Sequence, residues 1–268
     1  MRPINVPPYI SAHQKSINWF LENSVSIKQK LKALEKSKID VSIVIPAYNE
    51  QESIMSTISS ISESVSDFGI EVIVVDNNSS DLTKEYIIAT GAKYLFEKVP
   101  GVEMARTAGL NFASGKYVIS ADADTIYSPY WVSELVKPLH SNNSIAISYG
   151  RFAFTPEYYN RFTLYVYELI GDLFKSINAL SKDKAMYVYG CSSAYRREQG
   201  LSVNGYEHPD GVNEDGYLAV KLRNKFGKMH KVASKRSYSW TSSRKFLADG
   251  SLFQRVKKKF KSFFFRDY

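Results

Sequence analysis

Apolar runs and polar punctuation alternate along the first half of this chain. The stretch DVSIVIPAYNE (40–50) is a β-branched run that stops at a proline, the pattern of a strand buried on both faces. ESIMSTISSISESV (52–65) then sets Ile54, Ile58, Ile61 and Val65 at helical spacing. IEVIVVDNNSSD (70–81) repeats the buried strand with a polar ending, and LTKEYIIATGA (82–92) predicts a second helix. KYLFEK (93–98) predicts a third strand, GVEMARTAGLNFAS (101–114) a third helix and GKYVISADADT (115–125) another strand. Strands alternating with helices over short connections predict an α/β fold with a mostly parallel central sheet and helices on both faces. Ligands of such sheets bind beyond the carboxyl ends of the strands. Residues 48–50, 76–80 and 122–125 are therefore expected to converge on one crevice.

The remaining segments are less regular. Helices are predicted over 130–139, 158–180 and 213–227, and a strand with a turn over 186–198. Residues 1–10, punctuated by prolines, are expected to be extended, and 11–37 to form one or two amphipathic helices. No internal repeat or linker interrupts the chain. The expected organisation is an N-terminal helical extension (1–39), a main domain (40–247) and a basic amphipathic tail (248–268).

Composition narrows the class. Of 268 residues, 44% are hydrophobic and 23% charged, as in globular proteins. Thirty-five Lys and Arg against 27 Asp and Glu leave a net charge of +8, which favours an anionic partner. No nucleic-acid module is recognisable, and much of the basic excess sits in the tail, so nucleic acid is not the expected partner. One cysteine, Cys191, excludes an internal disulfide and suits a reducing compartment. No apolar stretch approaches the ~18 residues of a spanning helix, and the N-terminus lacks the pattern of a secretory signal. A cytoplasmic protein is expected. In the tail, Leu252, Phe253, Val256, Phe260, Phe263 and Phe264 fall near one helical face beside Arg255, Lys257, Lys258, Lys259 and Lys261. That pattern fits either a helix lying on the anionic inner face of a membrane or one docked on its own domain.

Two groups of acids draw attention. Asp122 and Asp124 stand one residue apart where a strand leaves the core, as an ordinary loop or as a grip for positive charge. Glu214 and Asp215 open a helix, where acids are also favoured by the macrodipole alone.

Taken together, VSIVIPAYNE (41–50), VVDNNSSDLT (74–83), GVEMARTAGLNFASGKYVISADADT (101–125), GCSSAYRRE (190–198), NEDGYLAVKL (213–222) and TSSRKF (241–246) resemble family 2 of the glycosyltransferases. The resemblance covers roughly residues 40–247 and implies the GT-A fold and an inverting transfer from a nucleotide-diphosphate sugar. It implies that Pro46, Tyr48 and Glu50 line the nucleotide pocket and that Asp76 and Asn77 read the base. The family often has a second acid at the position of Asn77, and the amide, which both donates and accepts, leaves the base open. Thr107 stands where an asparagine often follows the arginine, and Arg106 is expected to face the phosphates.

The same resemblance makes Asp124 the firmer ligand of a Mn²⁺ or Mg²⁺ ion, with Asp122 nearer the ribose. Hard cations take carboxylate and phosphate oxygens, and would offset charge on the leaving diphosphate. Asp215 is then the expected base, with Glu214 orienting the acceptor or the base. Arg244 and Lys245 lie on a segment near the diphosphate, where cations stabilise the leaving group. His230 is a weaker candidate for a metal shell, and GCSSAYRRE is the expected acceptor-side loop. The expected donor is a UDP-sugar, and the expected acceptor a hydroxyl of a glycan or lipid-linked molecule in cell-surface polysaccharide synthesis. Two other readings are a glycan-binding scaffold that has lost catalysis and a sugar-phosphate nucleotidyltransferase. The latter would be expected to carry a glycine-rich loop after its first strand, and PAYNEQES has no glycine.

Overall fold

A computed structural model describes residues 2–178, 183–244, 246 and 254. Helices α1 (Pro8–His13), α2 (Ile17–Glu22) and α3 (Ser24–Leu34) come first. The alternation follows as β1 (Val41–Ala47), α4 (Ile54–Ser62), β2 (Ile70–Asp76), α5 (Thr83–Thr90), β3 (Lys93–Phe96), α6 (Val102–Phe112) and β4 (Tyr117–Ser120). Next are β5 (Thr125–Tyr127), α7 (Trp131–Ser141), β6 (Ile145–Tyr149), β7 (Phe152–Phe154) and α8 (Arg161–Asn178). The described chain closes with β8 (Ser193–Arg196), α9 (Arg197–Leu201), α10 (Glu214–Phe226), β9 (Lys228–Lys231) and β10 (Ser239–Thr241).

Seven strands form the central sheet in the order β3-β2-β1-β4-β8-β6-β9. It is mostly parallel, with β8 running antiparallel to both β4 and β6. The side-chain period of two sorts the central strands between two cores. Val41, Ile43 and Ile45 of β1 and Val72 and Val74 of β2 join one cluster with Leu31, Ile58, Ile87 and Leu135 from α3, α4, α5 and α7. Val44, Ile73 and Val75 point the other way, to Leu110 of α6 and Leu222 of α10. The first cluster also takes Phe20 and Ile27, so the N-terminal helices form part of that layer.

Two sequence expectations need correcting. Residues 1–10 are not extended throughout, because α1 begins at Pro8; a proline in the first turn loses no intrahelical hydrogen bond and presets φ. The 115–125 run is two strands rather than one. β4 ends at Ser120, and β5 belongs to a second sheet of order β5-β10-β7. The short strands β6, β7, β9 and β10 were not read in the sequence. The basic tail lies outside the described residues apart from Gln254. Among the described residues, no helix is long and apolar enough to cross a membrane.

Candidate active site

Asparagines in left-handed backbone turn the chain after the first two strands. Asn49 has φ 52° and Asn78 has φ 67°, a region that asparagine tolerates better than most residues. The two turns are cross-braced: Ser80 N donates to Asn49 Oδ1 at 2.9 Å, and Glu50 N donates to Thr83 Oγ1 at 2.8 Å. Pro46, Tyr48 and Glu50 thereby reach one cavity, with Tyr48 63% exposed at its rim.

Asp76 and Asn77 serve this framework. The Asp76 carboxylate accepts from Ser79 N and from the Tyr94 hydroxyl, both at 3.0 Å. Asn77 Nδ2 donates to the carbonyls of Glu97 and Val99 at 2.9 and 2.7 Å, and its Oδ1 accepts from Gly101 N at 2.8 Å. The amide thus ties down the segment leading into α6. Asn77 lines the cavity, but Asp76 is buried behind the wall.

The Asp122–Asp124 turn is held from both sides between β4 and β5. Thr57 Oγ1 donates to Ala123 O at 2.8 Å and accepts from Thr125 N at 3.1 Å. Asp122 N donates to the buried Tyr127 hydroxyl at 2.8 Å, and Ser242 N donates to Asp124 O at 2.9 Å. With the backbone occupied in this way, both carboxylates are left to line the cavity.

Each carboxylate faces an arginine. Arg106 Nη2 lies 3.0 Å from Asp122 Oδ1, and Arg244 Nη2 lies 3.9 Å from Asp124 Oδ2. Arg244 also pairs with Glu50, whose pKa is raised, first by burial and then by Asp124.

Arg106 is buried, and its Nε lies 3.5 Å from Asp215 Oδ1 and 3.9 Å from Glu214 Oε1. Burial opposes its charge, but Asp215, Asp122 and Glu214 outweigh burial and hold its pKa above the ordinary value. Asn213 caps α10, accepting from Gly216 N at 2.8 Å, so capping falls to the residue before the acids. Burial pushes the Asp215 carboxyl up to about 6, against the pull of Arg106 and with help from Glu214 and Asp122. A Cβ at Gly190 would overlap both Arg106 Nη2 and Asp215 Oδ2, so any side chain there would displace the ion cluster.

Pro46, Tyr48, Glu50, Asn77, Arg106, Asp122, Asp124, Glu214 and Asp215 all line one cavity of about 930 Å³. Phe152, Phe154, Tyr189 and Phe246 form an aromatic wall on it. Arg244 borders a smaller cavity of about 250 Å³ that shares Asp124 and Ser242. His230 is on edge strand β9, opposite Ser148, and is not among the residues lining the main cavity. Lys245 lies outside the described residues. Thr57, Tyr127 and the aromatic wall went unread in the sequence, because nothing local ties Thr57 to Ala123 or brings Phe152, Phe154, Tyr189 and Phe246 to one wall.

The family model for glycosyl transferase family 2 matches residues 42–199, more than half of the chain. The chain belongs to glycosyl transferase family 2. Among curated proteins it is 31% identical over 112 residues to a dolichol-phosphate mannosyltransferase of Pyrococcus furiosus, covering 40% of this chain and 32% of that protein. It is 35% identical over 116 residues to a glucosyl-3-phosphoglycerate synthase of Mycobacterium tuberculosis, covering 40% and 36%. The chain thus spans about a third of the length of the curated relatives it matches. A crystal structure of the M. tuberculosis synthase with Mn²⁺, UDP-glucose and phosphoglyceric acid superposes with a TM-score of 0.58 at 24% identity, covering 87% of this chain and 81% of that one. The fold is therefore GT-A-like.

In this family 2 chain, Asp122 and Asp124 suit a hard divalent cation. Among the described residues no group of three His, Cys, Asp or Glu side chains gathers as a closed metal site. Two carboxylates on one turn fit an ion that takes the rest of its oxygens from a bound diphosphate.

Proposed function

We propose that the chain is an inverting, metal-dependent glycosyltransferase that moves a sugar from UDP to a hydroxyl of a glycan or lipid-linked acceptor in cell-surface polysaccharide synthesis. The observation that carries this reading is the meeting of Asp122, Glu214 and Asp215 around Arg106, with Asp124 beside them in the same cavity. The Mn²⁺ and UDP-glucose held by the related synthase support the choice of donor and metal. Residues 40–247 would carry the catalytic domain, with 1–39 as an extension packed on it.

Tyr48 at the rim and Asn77 in the wall would border the base, while Pro46 and Glu50 shape the donor pocket. Asp124 and Asp122 would hold Mn²⁺ or Mg²⁺, which supplies Lewis-acid stabilisation of the leaving diphosphate. Asp215 takes the proton of the acceptor hydroxyl as its oxygen bonds to the anomeric carbon. The bond from that carbon to the diphosphate breaks, and the nucleotide leaves with the electron pair. Glu214 and Arg106 hold Asp215 in place, and Arg244 adds positive charge beside Glu50 and Asp124.

The test is thermal stabilisation by a panel of nucleotide sugars, each without metal, with Mn²⁺ and with Mg²⁺. Ligand at 100 times its Kd should stabilise by about 2.7 kcal/mol. Asp124→Asn should abolish the metal-dependent part while the protein stays folded. No stabilisation by any nucleotide sugar with either metal would overturn the reading.

A further inference from the structure

Helix α8 is built inside out. Its charged residues Arg161, Glu168 and Asp172 turn toward the protein, where Arg161 pairs with Glu168 at 2.7 Å and Arg2 pairs with Asp172 at 2.7 Å. Its outer face carries Phe162, Val166, Leu169, Leu173 and Ile177, all exposed, with Phe162 at 67% and Leu173 at 60%. These five residues recur every three or four positions, a continuous stripe about 22 Å long. A solvated surface helix has the opposite arrangement, and an exposed apolar stripe of this size marks a contact surface.

We propose that this face of α8 docks on an anionic lipid bilayer. Charge selects the occupant. Phe246 packs on the inner side of α8 against Leu164 and Tyr167. The chain that follows it, 247–268, contains six Lys or Arg against two Asp, half of the net charge of +8. The outward stripe has no acid to receive those cations, so a tail folded over it would leave them unmatched. A second copy would bring two basic tails together. Anionic headgroups accept the cations while the acyl boundary accepts the stripe. Phe154 and Phe246 line the cavity and also pack beside α8, so docking would bring the cavity mouth to the membrane surface. That last consequence rests on the proposed function; the docking itself does not.

The test is co-sedimentation of the full chain with phosphatidylcholine vesicles, with and without roughly one third phosphatidylglycerol. The wild type should bind the anionic vesicles and not the neutral ones. Leu169→Glu combined with Leu173→Glu should lower binding at least about tenfold. Its thermal response to nucleotide sugars should match that of the wild type, which separates docking from donor binding. Cys191 is buried, so Leu173→Cys can be labelled selectively with an environment-sensitive dye; its emission should shift to the blue on anionic vesicles. Vesicle binding unchanged by the double substitution, or a dye that stays in water, would overturn the proposal. So would a solution dimer that the double substitution dissolves in a chain that ignores vesicles.

Discussion

Asp215→Asn should abolish sugar transfer and stabilise the protein. The carboxyl rises from an ordinary 3.8 to about 6, chiefly because burial disfavours its charged form. Below pH 3.8 it is neutral in both folded and unfolded chains. Between 3.8 and 6 the unfolded chain ionises while the folded one keeps its proton, so wild-type stability falls as pH rises. Above 6 both are ionised and the deficit is constant. Two pK units correspond to about 3 kcal/mol. Asparagine is neutral throughout and nearly isosteric, and Arg106 retains Asp122 at 3.0 Å and Glu214 at 3.9 Å. The stability difference, variant minus wild type, should therefore grow by up to about 3 kcal/mol from pH 4 to pH 7. In a chain of this size that is a gain of roughly 6–12 °C in Tm. Scanning calorimetry of both proteins across that pH range measures it, since other titrations cancel in the difference. In parallel, wild-type kcat/KM should rise with pH as Asp215 loses its proton near 6. A pH-independent stability difference would refute the burial argument, and substantial transfer by the variant would refute the base.

Two further substitutions probe the same cluster. Arg106→Met removes the cation shared by Asp122, Glu214 and Asp215 and should cost about 3–5 kcal/mol in urea unfolding at pH 8. Part of that loss should return at pH 5, where Asp215 is protonated; an unchanged urea midpoint would show that the carboxylates do not need the arginine. Gly190→Ala forces a methyl group against the Arg106 guanidinium and the Asp215 carboxylate, and should lower kcat on the order of a hundredfold with native circular dichroism retained. A wild-type kcat would mean that the segment moves aside without disturbing the acid.

The alternating core was legible because strand and helix periods are local. Val41, Ile43 and Ile45 with Val44 between them already encode a strand with a core on each face. The candidate acids were legible because short motifs placed them at strand and helix ends. Their surroundings were not. Arg106 was expected to face phosphates; it lines the cavity, and no motif showed that its guanidinium is buried there between Asp122 and Asp215. Asp76 and Asn77 were expected to read a base, and their polar atoms bond to Ser79, Tyr94, Gly101 and the 97–99 carbonyls.

The sequence by itself therefore determined the layered α/β plan and the places where carboxylates leave the core, since both follow from spacing over a few residues. Only the tertiary structure decided which arginine faces which acid, why Asp215 holds its proton to about pH 6, and which side of α8 meets the surroundings. Those properties depend on burial and on partners as distant as residues 2 and 172, or 106 and 215. Such distances carry no signal in a local pattern.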